Sequence, residues 1–223
     1  MISGATEKPA ATNLILYSYW RSTAAWRVRM ALAWKGLPHA IVPIDLRLGE
    51  QAGAAYRAQN PQGLVPLLVD GGTALSQSLA ILEYLEEIHP SPPLLPADAI
   101  GRARVRAAAQ IVACDTHPLN NLRVQRYLKE SMGQPQAVVD IWARHWIETA
   151  LTTLEAFASR YCGRFTYGDE LTIADLCLVP QLYNARRMSC DPVEFVNLCR
   201  IEQAVLGLPS LVRAHPESQI DAG

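Results

Sequence analysis

The residues best placed to do chemistry stand at the edges of apolar segments. Arg21-Ser22-Thr23 comes just before an apolar run with helical spacing. A serine or threonine in that position accepts a hydrogen bond from a free first-turn amide and caps the helix. The same hydroxyl and amides can instead face a bound group, because a helix start carries partial positive charge. Gln77-Ser78 bears the same relation to the amphipathic segment 78–88. A carboxylate would gain from the amides there, and the plain alternative is an ordinary helix start. Val65-Pro66 interrupts a strand-like run. The bland reading is a trans proline at a strand edge, whereas a cis bond turns the strand end so that the preceding backbone can pair with an extended peptide. Guanidinium groups grip carboxylates with paired donors, although most arginines are simply solvated. His117 precedes a proline, a structural setting more often than an acid–base one.

These residues need a scaffold, and the chain has two halves with different patterning. In the first, 14–17 reads as a strand, 24–35 as a helix ended by Gly36, and 40–44 as a second strand. A less regular, partly helical stretch near 52–58 leads to the apolar run 64–69. Gly71-Gly72 is a turn signal, 74–75 returns as an antiparallel strand, and 78–88 is a helix with Ile81, Leu82, Leu85 and Ile88 on one side. The order β-α-β, crossover, β-β-α implies a parallel pair followed by a hairpin. Prolines 90, 92, 93 and 96 then break the pattern as a linker does. Everything beyond is helical, with one apolar stripe through Val105, Ala108, Ile111, Val112 and Leu119, and a second through Val138, Ile141, Trp142, Trp146, Leu154 and Phe157. The tryptophan and leucine stripes are assigned to the core. Pro118 should break the first. Thr172-Ile173-Ala174-Asp175 is a capping box flanked by Leu171 and Leu176, which assigns Asp175 to folding. The expected organisation is an extension at 1–13, an α/β unit at 14–90, a linker at 91–98 and an all-helical unit at 99–223.

Composition narrows the class. The chain has 223 residues, half of them hydrophobic, and a formal net charge of −1. That argues against bulk electrostatic binding of nucleic acid or anionic membrane. No apolar run approaches a membrane span, and the first 13 residues lack the apolar stretch of a secretory signal. The five cysteines are scattered without a C-x-x-C pair. They read as buried reduced thiols rather than a disulfide framework or zinc site, and predict a cytoplasmic protein. Arg102, Arg104 and Arg106 read as a solvated helix face.

Three stretches together resemble one family. Ser22-Thr23-Ala24-Ala25-Trp26-Arg27-Val28-Arg29 is similar to the signature of zeta-class glutathione transferases. Asn60-Pro61-Gln62-Gly63-Leu64-Val65-Pro66 with Gln77-Ser78-Leu79-Ala80-Ile81 resembles their glutathione-domain core. His117-Pro118-Leu119-Asn120-Asn121-Leu122-Arg123, with Leu178-Val179-Pro180-Gln181 and Ala185-Arg186-Arg187, is similar to the helical domain of the isomerases in that class. The resemblance implies a thioredoxin-like βαβ-ββα domain followed by an all-α domain, usually as a homodimer. It also implies a glutathione-dependent cis–trans isomerase of a maleyl-type diacid, with maleylacetoacetate ahead of maleylpyruvate.

On that resemblance Ser22 stabilises the glutathione thiolate, with Thr23 and Arg21 beside it. Val65-Pro66 is the cis-proline pair that meets the peptide backbone, Gln77 and Ser78 hold the γ-glutamyl end, and Gln51 the glycine end. His117 and Arg123 line the cleft from the helical side, while Arg21 and Arg187 bind the substrate. The chain departs from the signature at Ala24, where the family has a cysteine, so no protein thiol acts there. Two other classes stay open: a conjugating or dehalogenating enzyme for small α-halo acids, which would consume glutathione, and a non-catalytic binding protein.

Overall fold

The computed structural model describes residues 14–222; the expected extension at 1–13 lies outside the described residues. Strand β1 (Leu14–Ser18) and strand β2 (His39–Pro43) run parallel. Parallel neighbours need a crossover, which helix α1 (Thr23–Trp34) supplies before Gly36 turns the chain at φ 64°. A 3₁₀ turn, Glu50–Ala52, and the short helix α2 (Ala54–Gln59) lead to strand β3 (Leu67–Asp70). β3 pairs antiparallel with β1 and, through Gly71-Gly72, with strand β4 (Thr73–Ser76). Both glycines have positive φ, as a tight hairpin of this hand requires. The sheet order is β2-β1-β3-β4, and helix α3 (Ser78–Ile88) follows it. The strands start or end within a few residues of the sequence expectation.

The rest is helical: α4 (Ala99–Gln110), α5 (Leu122–Arg126), α6 (Gln136–Tyr161), α7 (Ile173–Arg187) and α8 (Val196–Leu206). α4 continues as a wider π-helical turn, Ile111–Thr116, and stops at Pro118, which has no amide to continue the ladder. Asn121 restarts the chain as a cap, its side chain accepting from the Arg123 amide at 3.0 Å. Asp175 accepts from the Thr172 amide at 2.8 Å and the Thr166 amide at 2.7 Å, so the capping box also pins the preceding loop.

One apolar core runs through both halves, from Leu16 and Trp26 past Val105 and Ile147 to Leu178 and Ile201. Buried polar ties reinforce it. Arg29 donates to Ser18 Oγ at 2.9 Å, to the Tyr19 and Trp20 carbonyls at 3.3 and 2.9 Å, and to the Ala214 carbonyl at 3.1 Å. The Trp20 amide donates to Asp221 Oδ2 at 2.9 Å, 201 positions away. Lys35 Nζ sits between Glu86 Oε2 at 2.8 Å and the carbonyls of His89 and Pro92.

Three expectations need correction. On α6 the buried face is Val139, Ala143, Ile147, Ala150, Leu151, Leu154 and Ala158. Val138 and Ile141 are exposed, and Trp142 and Trp146 are half-buried. Trp142 keeps its indole N–H on the Leu119 carbonyl at 2.8 Å, which holds it at the rim. The true stripe is rich in alanine, whose weak hydropathy hides it from a pattern reading. Second, the cysteines are all free, but only Cys177 and Cys190 are buried; Cys162 and Cys199 are partly exposed and Cys114 exposed. Third, Arg106 is not a purely solvated residue. Its Nε and Nη2 grip both oxygens of Glu83 on α3, at 2.7 and 2.8 Å.

Candidate functional site

A cleft of about 760 Å³ opens where the start of α1, the loop before β3 and the helical half meet. A smaller pocket of about 220 Å³ adjoins it, and Gln62, Leu64, Val65, His117, Asn121 and Arg123 border both. Arg21, Ser22, Thr23, Gln51 and Arg187 line the larger space, and Pro66, Gln77 and Ser78 the smaller one. All the site residues named from the sequence therefore fall on one continuous depression.

Ser22 is the N-cap of α1: its Oγ accepts from the Ala25 amide at 3.2 Å. The capping role uses the oxygen as acceptor and leaves the hydroxyl proton for a ligand in the cleft. Thr23, 5% exposed, places Oγ1 3.0 Å from His117 Nδ1. The neighbours of the imidazole fix its tautomer. Asn121 Oδ1 accepts from the Arg123 amide, so its Nδ2 is the atom 3.3 Å from His117 Nε2. Nε2 is thus an acceptor, Nδ1 carries the proton and donates to Thr23, and the Thr23 hydroxyl proton is not spent on His117. Desolvation, followed by the charges of Arg27 and Arg123, lowers the His117 pKa to about 3. His117 is neutral near pH 7, so it holds no imidazolium proton to donate there.

A measurable consequence follows. The kcat profile between pH 5 and 8 carries no ionisation of His117. Stability behaves differently, because an unfolded histidine titrates near about 6.5 and takes up its proton first. Acid destabilises the protein as pH falls from about 6.5 toward 3, and urea unfolding across that range in His117→Gln shows a shallower loss than wild type. A kcat step near pH 6.5 that vanishes in His117→Gln contradicts this assignment.

Arg21 lies over the Trp20 ring, 4.8 Å from its centroid, with Nε buried and lacking a hydrogen-bond partner among the described residues. Burial first, and the charge of Arg21 second, pull the Arg187 pKa below the ordinary guanidinium value. Two cations that feel each other across a cleft form a site for an anion. Gln51 Oε1 is likewise buried without a partner. Gly63 lets the chain pass close to it: a Cβ there would meet the Gln51 carbonyl at 2.9 Å.

The Val65-Pro66 bond is cis, and no hydrogen bond among the described residues uses the Val65 amide or carbonyl. Those groups are free to pair with an extended peptide. Gln77 holds φ 70° without being glycine, an uncommon backbone state of the kind found at ligand sites, and its side-chain Nε2 donates to Gln62 Oε1 at 2.7 Å. Ser78, the first residue of α3, is 6% exposed and accepts from Arg27 Nη1 at 3.1 Å. Free amides at a helix start, two free backbone groups before β3 and orphaned polar atoms thus line one side of the depression. Among the described residues no cluster of side chains has the makeup of a metal site.

The profile of the glutathione S-transferase N-terminal domain matches residues 21–88. A probable maleylacetoacetate isomerase from Vibrio cholerae is 42% identical over 212 residues, covering 94% of this chain and 99% of the relative. A maleylpyruvate isomerase from Ralstonia is also 42% identical, over 93% of this chain and 99% of the relative. The chain belongs to the zeta-class glutathione S-transferases. Among solved structures, a maleylacetoacetate isomerase from Methylobacterium extorquens with bound malonate and glutathione superposes with a TM-score of 0.91. It is 44% identical, with 94% of this chain and 99% of that one covered. The zeta-class fold, a thioredoxin-like sheet unit followed by helices, is the one described above.

Sequence reasoning assigned no role to Asn121 or Arg27. Asn121 carried a signal, since an asparagine just before an apolar segment reads as a helix cap, though its meeting with His117 is a product of the turn between them. Arg27 did too: it is three residues after Ala24, on the face of α1 that the cleft approaches.

Proposed function

We propose that this protein is a glutathione-dependent cis–trans isomerase that converts maleylacetoacetate to fumarylacetoacetate in aromatic amino-acid breakdown. The observation that carries the reading is the convergence of Ser22, Thr23, Arg21 and Arg187 on one cleft. Bound glutathione supplies a thiolate that adds to the cis double bond, leaves a single bond free to rotate, and departs as the trans bond re-forms.

The protein's own groups make that exchange favourable. The Ser22 hydroxyl, the free amides of α1 and the Thr23 hydroxyl oriented by His117 stabilise negative charge at the sulfur position. Arg21 and Arg187 hold the carboxylate ends of the diacid and offset the enolate-like charge that develops on addition. Val65 pairs with the tripeptide backbone, Gln77 and Ser78 take the γ-glutamyl end, and Gln51 the glycine end. Arg123 closes the helical side. Ala24 provides no thiol, so the chemistry uses the glutathione sulfur alone.

A homodimer located in the cytoplasm belongs to the same proposal, as does the division into a glutathione-binding unit at 14–90, a linker at 91–98 and a substrate-facing unit at 99–223. No helix among the described residues is long and apolar enough to cross a membrane. Maleylpyruvate is the second reading, favoured by the equal identity to the Ralstonia enzyme.

The test is turnover of maleylacetoacetate and maleylpyruvate with and without glutathione, with total glutathione measured at the end. Turnover that requires glutathione but leaves its concentration unchanged is the expected result, and the ratio of kcat/KM values ranks the two diacids. Stoichiometric loss of glutathione with α-halo acids, and none of the isomerisation, would replace this reading with a dehalogenase. Failure to bind glutathione would leave a non-catalytic relative.

A further inference from the structure

Arg27 is 1% exposed, yet it is not satisfied. Its Nη1 donates to Ser78 Oγ at 3.1 Å, while Nε and Nη2 have no hydrogen-bond partner among the described residues. No carboxylate pairs with it among the described ion pairs. The titratable groups facing it are Cys177 from α7, Cys114 and His117. Burial pushes the Cys177 thiol up to about 11, so it stays uncharged near neutrality, as does His117. A guanidinium stays protonated even when buried. The fold therefore encloses a cation without an anion, an arrangement that costs stability unless something else supplies the charge.

The other buried cations show that this is not a general habit of the chain. Arg29, two residues on, donates to four oxygens and lies near Asp221. Lys35 has Glu86 and two carbonyls. Arg27 differs in lining the 220 Å³ pocket, together with Ala24, Gln77 and Ser78. Ala24, three residues earlier in α1, lines the same pocket with no more than a methyl group.

We infer that Arg27 is a positioning residue for the α-carboxylate at the γ-glutamyl end of glutathione, whose charge completes an ion pair that the free protein leaves half made. Arg27 occupies the Ser78 oxygen as an acceptor, so the Ser78 hydroxyl proton points at the incoming carboxylate. Its own charge acts on that carboxylate through a low-dielectric wall, where attraction is strong. This inference rests on the glutathione reading above.

The experiment compares glutathione with its analogue in which the γ-glutamyl α-carboxylate is an amide. Binding to wild type, Arg27→Met, Arg27→Gln and Arg27→Lys is followed by calorimetry, with melting curves of the free proteins alongside. Wild type should favour glutathione over the amide by about 10- to 100-fold, the scale of a charge-assisted contact. Arg27→Met and Arg27→Gln should lose that preference while binding the amide as wild type does. Free Arg27→Met should melt at or above wild type, because an orphaned charge has been removed. Arg27→Lys, which keeps the charge, should recover most of the preference. In turnover the loss should fall on KM for glutathione, with kcat at saturation retained.

Four results overturn the inference. One is wild type binding both ligands equally. Another is Arg27→Met and Arg27→Gln keeping the preference, or losing both ligands alike. A third is neither variant folding, which makes Arg27 a structural residue. The fourth is wild type binding no glutathione, which also removes the proposed cofactor; the first three leave that cofactor standing.

Discussion

Ser22→Ala should lower kcat/KM for the isomerisation by about 100- to 1000-fold, the usual cost of losing one donor aimed at developing or stored negative charge. A thiol in water ionises near about 8.5, and in the proposed function the free first-turn amides of α1 and the Ser22 proton bring a sulfur at this place toward ionisation at neutral pH. The difficulty is that Ser22 also caps α1 through the Ala25 amide. Loss of the cap costs about 1 kcal/mol, or roughly 2–4 °C in a chain of this size. Ser22→Asp separates the two roles. Aspartate caps a helix as well as serine does, but it brings a carboxylate where the sulfur must be negative. The expected pattern is normal stability with lost activity in Ser22→Asp, and both losses in Ser22→Ala. Titrating the thiolate absorbance of bound glutathione should show its pKa raised in both. If Ser22→Ala stays within a few-fold of wild type, serine is only a cap and the charge is carried by Thr23, whose hydroxyl His117 already orients.

Glu86→Ala should be the most destabilising single change outside the site, by about 3–5 kcal/mol, because it strands a buried cation. The Lys35 side chain is 0% exposed and that of Glu86 8%. Glu86 also accepts from the Leu94 and Leu95 amides at 2.9 and 3.2 Å, so its removal leaves two buried donors without partners as well. For a chain of this length the melting temperature falls on the order of 10 °C. Neither residue lines the cleft, so KM for glutathione should hold in the folded fraction at lower temperature. Lys35→Met combined with Glu86→Leu should recover only the part due to the stranded charge, since the Leu94 and Leu95 amides and the His89 and Pro92 carbonyls stay without those partners. A Glu86→Ala protein within 1 kcal/mol of wild type would mean that the segment after α3 is held by its leucines alone.

What the sequence showed and what it hid divide along physical lines. The strands and helices of the first half were legible because glycines and prolines punctuate them: Gly36 ends α1 and Gly71-Gly72 makes the hairpin. Ser22, Gln77 and Ser78 were legible because a helix start is a local feature. The hidden part is the pairing of distant residues. Thr23 meets His117 across 94 positions and Arg27 meets Ser78 across 51, and no periodicity encodes either. The face of α6 was misread for another reason: two tryptophans dominate any hydropathy pattern, yet one of them is kept at the rim by its own polar N–H. The proline-rich segment at 91–98 read as a bare connector, but Leu94 and Leu95 are 0% and 5% exposed and pack into the common core.

The turn that carries Ser22 is held from far downstream, by Asp221 on the Trp20 amide and by the Ala214 carbonyl on Arg29. Translation delivers these contacts in reverse order of need. The sheet residues leave the ribosome early and can begin to collapse, since N-terminal segments fold first during synthesis. The turn before α1 then waits, without its anchors, until the chain around Ala214 and Asp221 has emerged. A half-made polypeptide thus has the serine but not the fixed place for it, and the turn is anchored only once the chain has been made past Asp221.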